Sequence, residues 1–335
     1  MRRPWIVTGG AGFIGFHVCR RLVAEGIDVV ALDNLSPYYD PGLKKARLAE
    51  LINHPCFTFE HADLADECSV APLFARYEPE VVIHLAAQAG VRYSIEDPRS
   101  YVRSNVVGTL NVLEECRRRS VEHLVYASSS SVYGAGSTPF SVHGGADHPL
   151  NVYASTKRST ELLAHSYSNI YELPTTGLRF FTVYGPWGRP DMAYFAFATA
   201  MVERRPIVVY GSGAQRRDFT YVDDVVEGIV RVAGTPATCD PAWSTTHPDP
   251  ATSFAPYRIY NIGHGEQVSI DHLIELLEWN LGVTAIREER PAEPGDAKAT
   301  HADVVDLEQA IGLLPSTSID QGLAAFTDWF RGYRG

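Results

Sequence analysis

Short apolar runs rich in β-branched residues alternate with longer amphipathic stretches over residues 1–130. The short runs predict strands at 6–7, 29–33, 57–59, 81–85 and 123–126. Between them, apolar residues recur with helical spacing, most clearly over 13–25 and 105–118. Because strands that alternate with helices are typical of a parallel sheet covered on both faces, the pattern predicts an α/β fold with a Rossmann-type doubly wound parallel sheet.

The second half of the chain is less regular. Its apolar pattern predicts strands at 207–210 and 259–262 and helices at 225–232, 273–281 and 323–330. We therefore expect a first domain over 1–180, with returning segments near 218–234 and 257–263, and a smaller C-terminal α/β lobe over 181–335. Segment 235–256 carries five prolines among serines and threonines, which predicts a mobile surface insertion.

Composition narrows the class of protein. Of the 335 residues, 45% are hydrophobic and 21% are charged, which is typical of a globular chain rather than a disordered one. The net charge of −11 argues against a nucleic-acid partner. No apolar run approaches the ~20 residues of a membrane span, and the N-terminus lacks the apolar core of a signal peptide, so we expect a cytoplasmic protein. The five cysteines and twelve histidines show neither a disulfide framework nor metal-ligand spacing.

Glycines follow the first predicted strand and open the first predicted helix. Gly9, Gly12 and Gly15 would allow a tight turn and a close approach of a pyrophosphate to backbone N–H groups. Asp33 ends the second strand, where an acidic side chain can bond the ribose hydroxyls of NAD and repel the 2′-phosphate of NADP. Asp33 could also be a solvated turn residue, and the cations Lys44, Lys45 and Arg47 leave NADP open.

Tyr153 and Lys157 have the i, i+4 spacing that puts both side chains on one helix face. A nearby ammonium favours the phenolate form of a tyrosine, which would make Tyr153 a usable base. Four serines, 128–131, follow the fifth strand at the edge where parallel sheets bind ligands. The serines alone could equally be a polar turn, but the glycine and tyrosine motifs converge on the same edge.

Several motifs together resemble the extended short-chain dehydrogenase/reductase superfamily. They are TGGAGFIG at 8–15, LAA at 85–87, SSSSVYG at 128–134 and the Tyr153-x-x-x-Lys157 pair. RFFTVYGPWGRPDM at 179–192 and AQAGVRYS at 87–94 are more narrowly similar to the UDP-glucuronate 4-epimerases. The similarity runs through most of 4–234 and resumes at 257–330.

The resemblance implies tightly bound NAD, a UDP-hexuronic acid substrate and a homodimer formed through helices near 105–118 and 153–167. The first domain would bind NAD and the second mainly the UDP-sugar. The implied cofactor contacts are Gly9, Gly12, Phe13, Ile14, Gly15, Asp33, Asn34, Asp63, Leu64, Leu85, Ala86, Ala87, Asn105, Tyr153 and Lys157. The implied substrate contacts are Arg92, Ser129, Ser130, Ser131, Thr182, Arg189, Tyr210, Arg217 and Asp296.

Within this set, the resemblance implies Tyr153 as the base, Lys157 on the nicotinamide ribose and Ser129 on the sugar O4. Thr182 and Arg189 would face the uronate carboxylate. For the phosphates, Arg217 matches the arginine on the UDP pyrophosphate. Relatives that act on neutral UDP-sugars have a second arginine where this chain has Glu293, so either Arg92 or Arg290 would have to assist. By default, Arg189 and Arg217 could be surface ion-pair residues, and His84 and His123, in apolar strands, are expected to be core residues.

The implied reaction is the NAD-dependent, reversible C4 epimerisation of UDP-glucuronate to UDP-galacturonate through a 4-keto intermediate. Alternatives on the same fold are a 4-epimerase of neutral UDP-sugars, a 4,6-dehydratase or a UDP-glucuronate decarboxylase. The dehydratase would need an acid/base pair directly after the catalytic serine, where this chain has Ser130 and Ser131. The decarboxylase would need a glutamate at the position of Ser131. A non-enzymatic, nucleotide-sensing protein is the alternative from another class; such proteins often lack the tyrosine or the lysine.

Overall fold

The computed structural model describes residues 3–291 and 299–334. Seven parallel strands form the central sheet in the order β11-β6-β5-β4-β1-β2-β3. In chain order, the strands are β1 (Trp5–Thr8), β2 (Val29–Asp33), β3 (Phe57–His61), β4 (Val81–His84), β5 (His123–Ser129), β6 (Thr175–Phe180), β7 (Thr182–Tyr184), β8 (Ile207–Tyr210), β9 (Arg216–Arg217), β10 (Phe219–Tyr221), β11 (Tyr257–Ile262), β12 (Val268–Ser269) and β13 (Arg287–Arg290).

Helices cover both faces of this sheet, and others pack together around a separate hydrophobic core. They are α1 (Phe13–Ala24), α2 (Pro41–Ala49), α3 (Glu67–Tyr77), α4 (Tyr93–Glu96), α5 (Pro98–Tyr101), α6 (Gly108–Arg118), α7 (Val152–Tyr171), α8 (Ala193–Val202), α9 (Val222–Ala233), α10 (Ile270–Leu281), α11 (Val305–Ile311) and α12 (Ile319–Arg334). Tighter 3₁₀ turns lie at Ser130–Tyr133 and Gly211–Gly213.

Two hydrophobic clusters sandwich the sheet. On one face α1 packs against α9, and on the other α6 packs against α3 and α7. The strand β2 is buried along its whole length, as expected for a strand covered on both sides. The predicted doubly wound parallel sheet is confirmed, and its strand order reverses between β1 and β4, where this architecture opens a crevice for ligands.

A third hydrophobic cluster is rich in aromatic side chains. Helices α8, α10 and α12 enclose side chains such as Tyr194, Phe326 and Phe330, with Tyr194 and Phe326 in edge-to-face contact at 4.8 Å. The strands β8 and β13 pair in parallel beside it. Among the described residues, no helix combines the length and the apolar character that crossing a bilayer requires.

The predicted helix at 105–118 differs from the structure at its start. A helical path already begins at Pro98 and passes through a wider π-helical turn, Val102–Val107, before α6. The π turn directs the buried amide of Asn105 inward, where it donates to the Gln88 carbonyl and to Thr156 Oγ1, both at 3.0 Å. Single π turns often mark functional positions in helices, and periodicity alone does not reveal them.

The proline-containing segment 235–256 lies on the surface beside α7 and is anchored at several points. Ser253 is buried, and its hydroxyl bonds His165 Nε2 at 2.9 Å. The indole of Trp243 donates to the Asp249 carbonyl at 3.1 Å. The first bond ties the segment to the helix that carries Tyr153, and the second lies within the segment itself.

Candidate active site

A single cavity runs across the carboxyl ends of the strands, from the glycine turn after β1 to the loop after β7. It brings together most of the residues that the sequence singled out. The predicted residues that line it are Gly9, Gly12, Phe13, Ile14, Gly15, Asp33, Asn34, Asp63, Leu64, Leu85, Ala86, Ala87, Ser129, Ser130, Ser131, Tyr153, Lys157, Thr182, Arg189 and Arg217.

The glycine turn has no room for side chains. Gly9 has a φ of +71°, which favours glycine. A Cβ on Gly15 would clash with the Gly9 carbonyl, and one on Gly12 would approach the same oxygen to 2.8 Å. Since Gly12 is the N-cap of α1, the turn presents a helix N-terminus to the cavity, and a dinucleotide pyrophosphate fits this cradle.

Asp33 lies at the end of β2 with its carboxylate already engaged. It accepts hydrogen bonds from the backbone N–H groups of Ala11, at 3.2 Å, and Leu35, at 2.8 Å. The ammonium of Lys44 lies 3.4 Å from Oδ1, and both side chains are buried. Arg47, the third cation that left NADP open, donates to the backbone oxygens of Ala11 and Trp187. The position suits a ribose diol.

Tyr153 and Lys157 lie on the first turns of α7, which begins after the N-cap Asn151; the Asn151 side chain accepts from Ala154 N at 2.9 Å. Burial raises the pKa of Tyr153 above its ordinary value, and the hydrogen bond with Ser129 and the Arg189 cation offset only part of that rise. Burial lowers the pKa of Lys157 to about 8, and its ammonium donates to the Ala127 carbonyl at 2.9 Å.

The strand β5 runs further than its sequence pattern predicts, to Ser129 rather than 126. Ser129 therefore ends the strand beside Tyr153, and its hydroxyl accepts from Ser131 N at 3.2 Å. The preceding Ser128 faces away from Tyr153 and donates to Glu161 Oε1 at 2.6 Å. The four serines thus have at least two different roles, which their sequence alone does not distinguish.

Glu161 and Arg179 form a buried ion pair behind the serines that the sequence reasoning missed. Arg179 donates from Nε and Nη2 to the two carboxylate oxygens, both at 2.9 Å, and both side chains are fully buried. Glu161 lies one helical turn after Lys157 on α7 and raises the pKa of that lysine. Its i, i+4 spacing after Lys157 was a signal in the sequence, but its partner on β6 was not.

Arg189 lies in the loop after β7 and is paired with Asp191. Its Nε donates to Oδ1 at 3.0 Å and its Nη2 to Oδ2 at 2.6 Å, while the Tyr38 hydroxyl donates to the same Oδ2 at 3.2 Å. The carboxylate of Asp191 keeps a lowered pKa because Arg189 outweighs the effect of burial. The Nε and Nη2 edge of the guanidinium is therefore occupied, whereas Nη1 makes no hydrogen bond to any of the described residues.

Three predicted contacts among the described residues do not line the cavity. Arg92 stacks on the Tyr210 ring, with its guanidinium carbon 4.3 Å from the ring centroid, so these two residues contact each other rather than the cavity. Asn105 lies behind the wall and holds Gln88 in place. Asp296 lies outside the described residues, as does Glu293. The alternative phosphate ligand Arg290 is on the edge of β13, where it bonds Glu288 at 2.8 Å.

The two strand histidines are core residues. Burial lowers the pKa of His84 to about 3 and that of His123 to about 4. His84 bonds the hydroxyls of Thr8 and Thr109 at 2.7 and 3.0 Å. Across 3–291 and 299–334, no cluster of three or more His, Cys, Asp or Glu side chains is arranged to hold a metal ion.

The chain is similar to a known protein family and to several known proteins. Residues 5–270 match the NAD dependent epimerase/dehydratase family. Protein CapI of Staphylococcus aureus is 49% identical over 98% of both chains. The probable UDP-glucuronate 4-epimerase of Rhizobium meliloti is 46% identical over 97% of this chain and 96% of its own. The crystal structure of a UDP-glucuronic acid 4-epimerase from Bacillus cereus, in complex with UDP-glucuronic acid and NAD, aligns with a TM-score of 0.87 at 33% identity over 98% of this chain and 99% of that chain.

The fold and the site define a dinucleotide-dependent enzyme of the Rossmann class. More particularly, the chain belongs to the NAD dependent epimerase/dehydratase family. The resemblance to this group that the motifs indicated is confirmed.

Proposed function

We propose that the protein interconverts UDP-glucuronate and UDP-galacturonate by NAD-dependent epimerisation at C4. A probable UDP-glucuronate 4-epimerase at 46% identity and a structural neighbour with UDP-glucuronic acid and NAD support this reaction. The observation that carries it is the position of Tyr153, which contacts Ser129 and lies close to Arg189 in a cavity continuous with the glycine turn.

In this proposal the glycine turn holds the pyrophosphate of NAD, Asp33 and Asn34 the adenosine ribose, and Asp63 and Leu64 the adenine. Leu85, Ala86 and Ala87 line the rest of the cofactor site. Bound NAD would supply the hydride acceptor for oxidation at C4 of the sugar and the hydride donor for reduction on the opposite face.

Tyr153 removes the proton from O4 of the sugar as C4 is oxidised and returns a proton after the sugar has turned. The Ser129 hydroxyl and the Arg189 cation favour the phenolate. The Lys157 ammonium, fixed by the Ala127 carbonyl, adds a positive charge on the same helix face and holds the nicotinamide ribose. A positioned base of this kind contributes ~10²–10⁴ in rate.

The uronate carboxylate meets Thr182 and the Nη1 end of Arg189, with Ser130 and Ser131 nearby. A 4-keto uronic acid is a β-keto acid. It loses CO₂ when the C5–C6 bond to its carboxylate is perpendicular to the plane of the C4 carbonyl. Holding the carboxylate therefore protects the intermediate while the sugar rotates. Arg217, which lines the same cavity, is the residue we assign to the UDP pyrophosphate.

The alternatives find less support in the site. Ser130 and Ser131 stand where a 4,6-dehydratase or a decarboxylase would need a carboxylate. Tyr153 and Lys157 are both present, unlike in many non-enzymatic relatives of this fold. A neutral-sugar 4-epimerase would have no use for Arg189 as a carboxylate ligand.

We also propose a cytoplasmic homodimer with an NAD-binding domain over 1–180, returning at 218–234 and 257–263, and a UDP-sugar lobe over 181–335. Apolar side chains on α4, α6, α7 and the π turn are exposed and form the surface that would pair. They include Ile95, Val102, Leu110, Leu162 and Ile170.

The test is to incubate the purified protein with UDP-glucuronate, without added NAD, and to separate the UDP-sugars. We expect UDP-galacturonate to accumulate to equilibrium, and Tyr153→Phe to abolish it while NAD stays bound. No UDP-galacturonate from the wild-type protein, with NAD present in its nucleotide extract, would overturn the proposal.

A further inference from the structure

The turn that precedes Arg189 is held by side chains from the other half of the molecule. Three consecutive carbonyls of this turn, those of Pro186, Trp187 and Gly188, each accept a hydrogen bond from α1 or α2. His17 on α1 donates from Nε2 to the Pro186 carbonyl at 2.9 Å. Arg47 on α2 donates from Nη2 to the Trp187 and Gly188 carbonyls at 2.6 and 3.1 Å.

Arg47 is unusual because it is a fully buried cation whose acceptors are all neutral. Besides the turn, its Nη1 donates to the Ala11 carbonyl at 2.9 Å and to the Tyr39 hydroxyl at 2.8 Å. Within the described part of the chain, the structure gives it no carboxylate partner. A buried guanidinium is costly unless every donor is satisfied, so this side chain is committed to joining the glycine turn at Ala11 to the turn at 187–188.

The backbone of the held turn is strained. Trp187 has a φ of +59°, a conformation that bulky residues rarely adopt. Gly188 cannot be replaced without displacing Tyr194, because a Cβ there would clash with the Tyr194 hydroxyl. Strained conformations persist where the surroundings fix them, and they cluster at functional sites. Here the hydrogen bonds from His17 and Arg47 hold the turn in this conformation.

This turn determines where Arg189 stands. Arg189 directly follows Gly188 and lines the cavity, and its charge opposes the rise in the pKa of Tyr153. The ion pair with Asp191 orients the guanidinium but belongs to the same loop, so it cannot set the position of the loop. Tyr38, in the segment before α2, reaches Asp191 at 3.2 Å and adds a further tie from the cofactor half.

We propose that Arg47, assisted by His17, is a positioning residue that fixes Arg189 for recognition of the uronate carboxylate and so sets the preference for acidic over neutral UDP-sugars. The inference rests on the proposed function in one respect, the contact of Arg189 with that carboxylate. The hydrogen bonds of His17 and Arg47 connect α1 and α2, which flank the cofactor cradle, to the turn that carries Arg189.

The test compares Arg47→Lys with the wild-type holoenzyme in binding UDP-glucuronate and UDP-glucose. Lysine keeps the charge but not the planar fork that spans two carbonyls. We expect Kd and KM for UDP-glucuronate to rise about tenfold, as for a weakened charge-assisted hydrogen bond. The Kd for UDP-glucose and the NAD content should stay within about twofold of wild type, a selectivity that general loosening of the fold does not produce.

A double-mutant cycle identifies the route. In the Arg189→Ala background, Arg47→Lys should have no further effect on UDP-glucuronate binding, because its effect passes through Arg189. The same tenfold loss in both backgrounds, or an equal loss for both sugars, would overturn the proposal. Because binding is measured, a wild-type protein that binds UDP-glucuronate without turning it over refutes the proposed reaction and leaves this test intact.

Two further variants distinguish a positioning effect from misfolding. His17→Leu removes the donor to Pro186 from a different helix and should weaken UDP-glucuronate binding selectively, and His17→Gln, which retains an N–H donor, should restore most of it. The matched control is Arg76→Lys on α3, an exposed arginine paired with Glu60, which should change neither affinity.

Discussion

Arg189 binds both carboxylate oxygens of Asp191, its neighbour but one, through Nε and Nη2. The resemblance implies that Arg189 offers its planar guanidinium fork to the uronate carboxylate. In the structure this fork already holds a carboxylate from the same loop, and the substrate is left the Nη1 end. Arg189 is thereby fixed in orientation before substrate arrives, which lowers the entropy that binding must overcome.

Arg189→Ala should weaken UDP-glucuronate binding by ~1.5–3 kcal/mol, the value of a lost hydrogen bond to a charged group. The effect on UDP-glucose should be smaller, because that sugar has no carboxylate. Calorimetric titration of both sugars measures the difference. Arg205→Ala is the matched control, since Arg205 makes a similar pair with Glu203 on the exposed surface. Equal weakening for both sugars would mean that Arg189 serves the phosphates instead.

The Asp33–Lys44 pair predicts the choice of cofactor. The Asp33 carboxylate lies at the carboxyl end of β2, where the adenosine ribose would bind. The nucleotide extracted from purified protein should therefore be NAD rather than NADP. Asp33→Ser should raise the NADP share by removing the repulsion of a 2′-phosphate. Mass spectrometry of the extracted nucleotides decides this, and NADP as the main species in the wild type would refute the assignment.

Glu161→Gln should destabilise the protein strongly, because it leaves the Arg179 guanidinium buried without its counter-charge. Breaking such a pair costs about 3–5 kcal/mol, whereas Glu114→Gln, in a partly exposed pair with Arg117, should cost about 1 kcal/mol or less. Denaturant unfolding measures both. Similar losses for the two variants would show that the buried pair contributes no more than a surface one.

His143 predicts a pH dependence of stability. Burial opposes its charge, but its bond to Asp249 at 2.8 Å and the charge of Asp306, whose Oδ1 lies 3.0 Å from Nε2, raise its pKa. A raised pKa in the folded state stabilises the protein below the unfolded value of about 6.5, and the contribution disappears as the pH rises through the folded value. The melting temperature of the wild type relative to His143→Gln should therefore fall as the pH rises above about 6.5. A difference that is constant with pH would contradict it.

Sequence reasoning reached the features that depend on local pattern. The glycine turn, the end of β2 and the start of α7 follow from strand–turn–helix periodicity, and parallel strands bring their ends to one edge. The sequence pattern did not predict β6, because Thr175, Gly177 and Arg179 are not typical of a buried strand. The buried position of Arg179 depends on its ion pair with Glu161 on α7, which the local sequence does not show. The Arg92–Tyr210 stack and the ties from Arg47 likewise join residues more than a hundred positions apart. Side-chain direction across such distances is set by tertiary packing, which no local pattern encodes.

The central claim is that C4 is oxidised and reduced again within one enzyme-bound cycle. The most direct measurement uses UDP-glucuronate labelled with deuterium at C4, incubated with the holoenzyme and no added cofactor. The account predicts that UDP-galacturonate retains the deuterium at C4 and that no hydrogen from solvent enters there, because the hydride removed is the hydride returned. Loss of the label to solvent, with UDP-galacturonate still formed, would contradict the account.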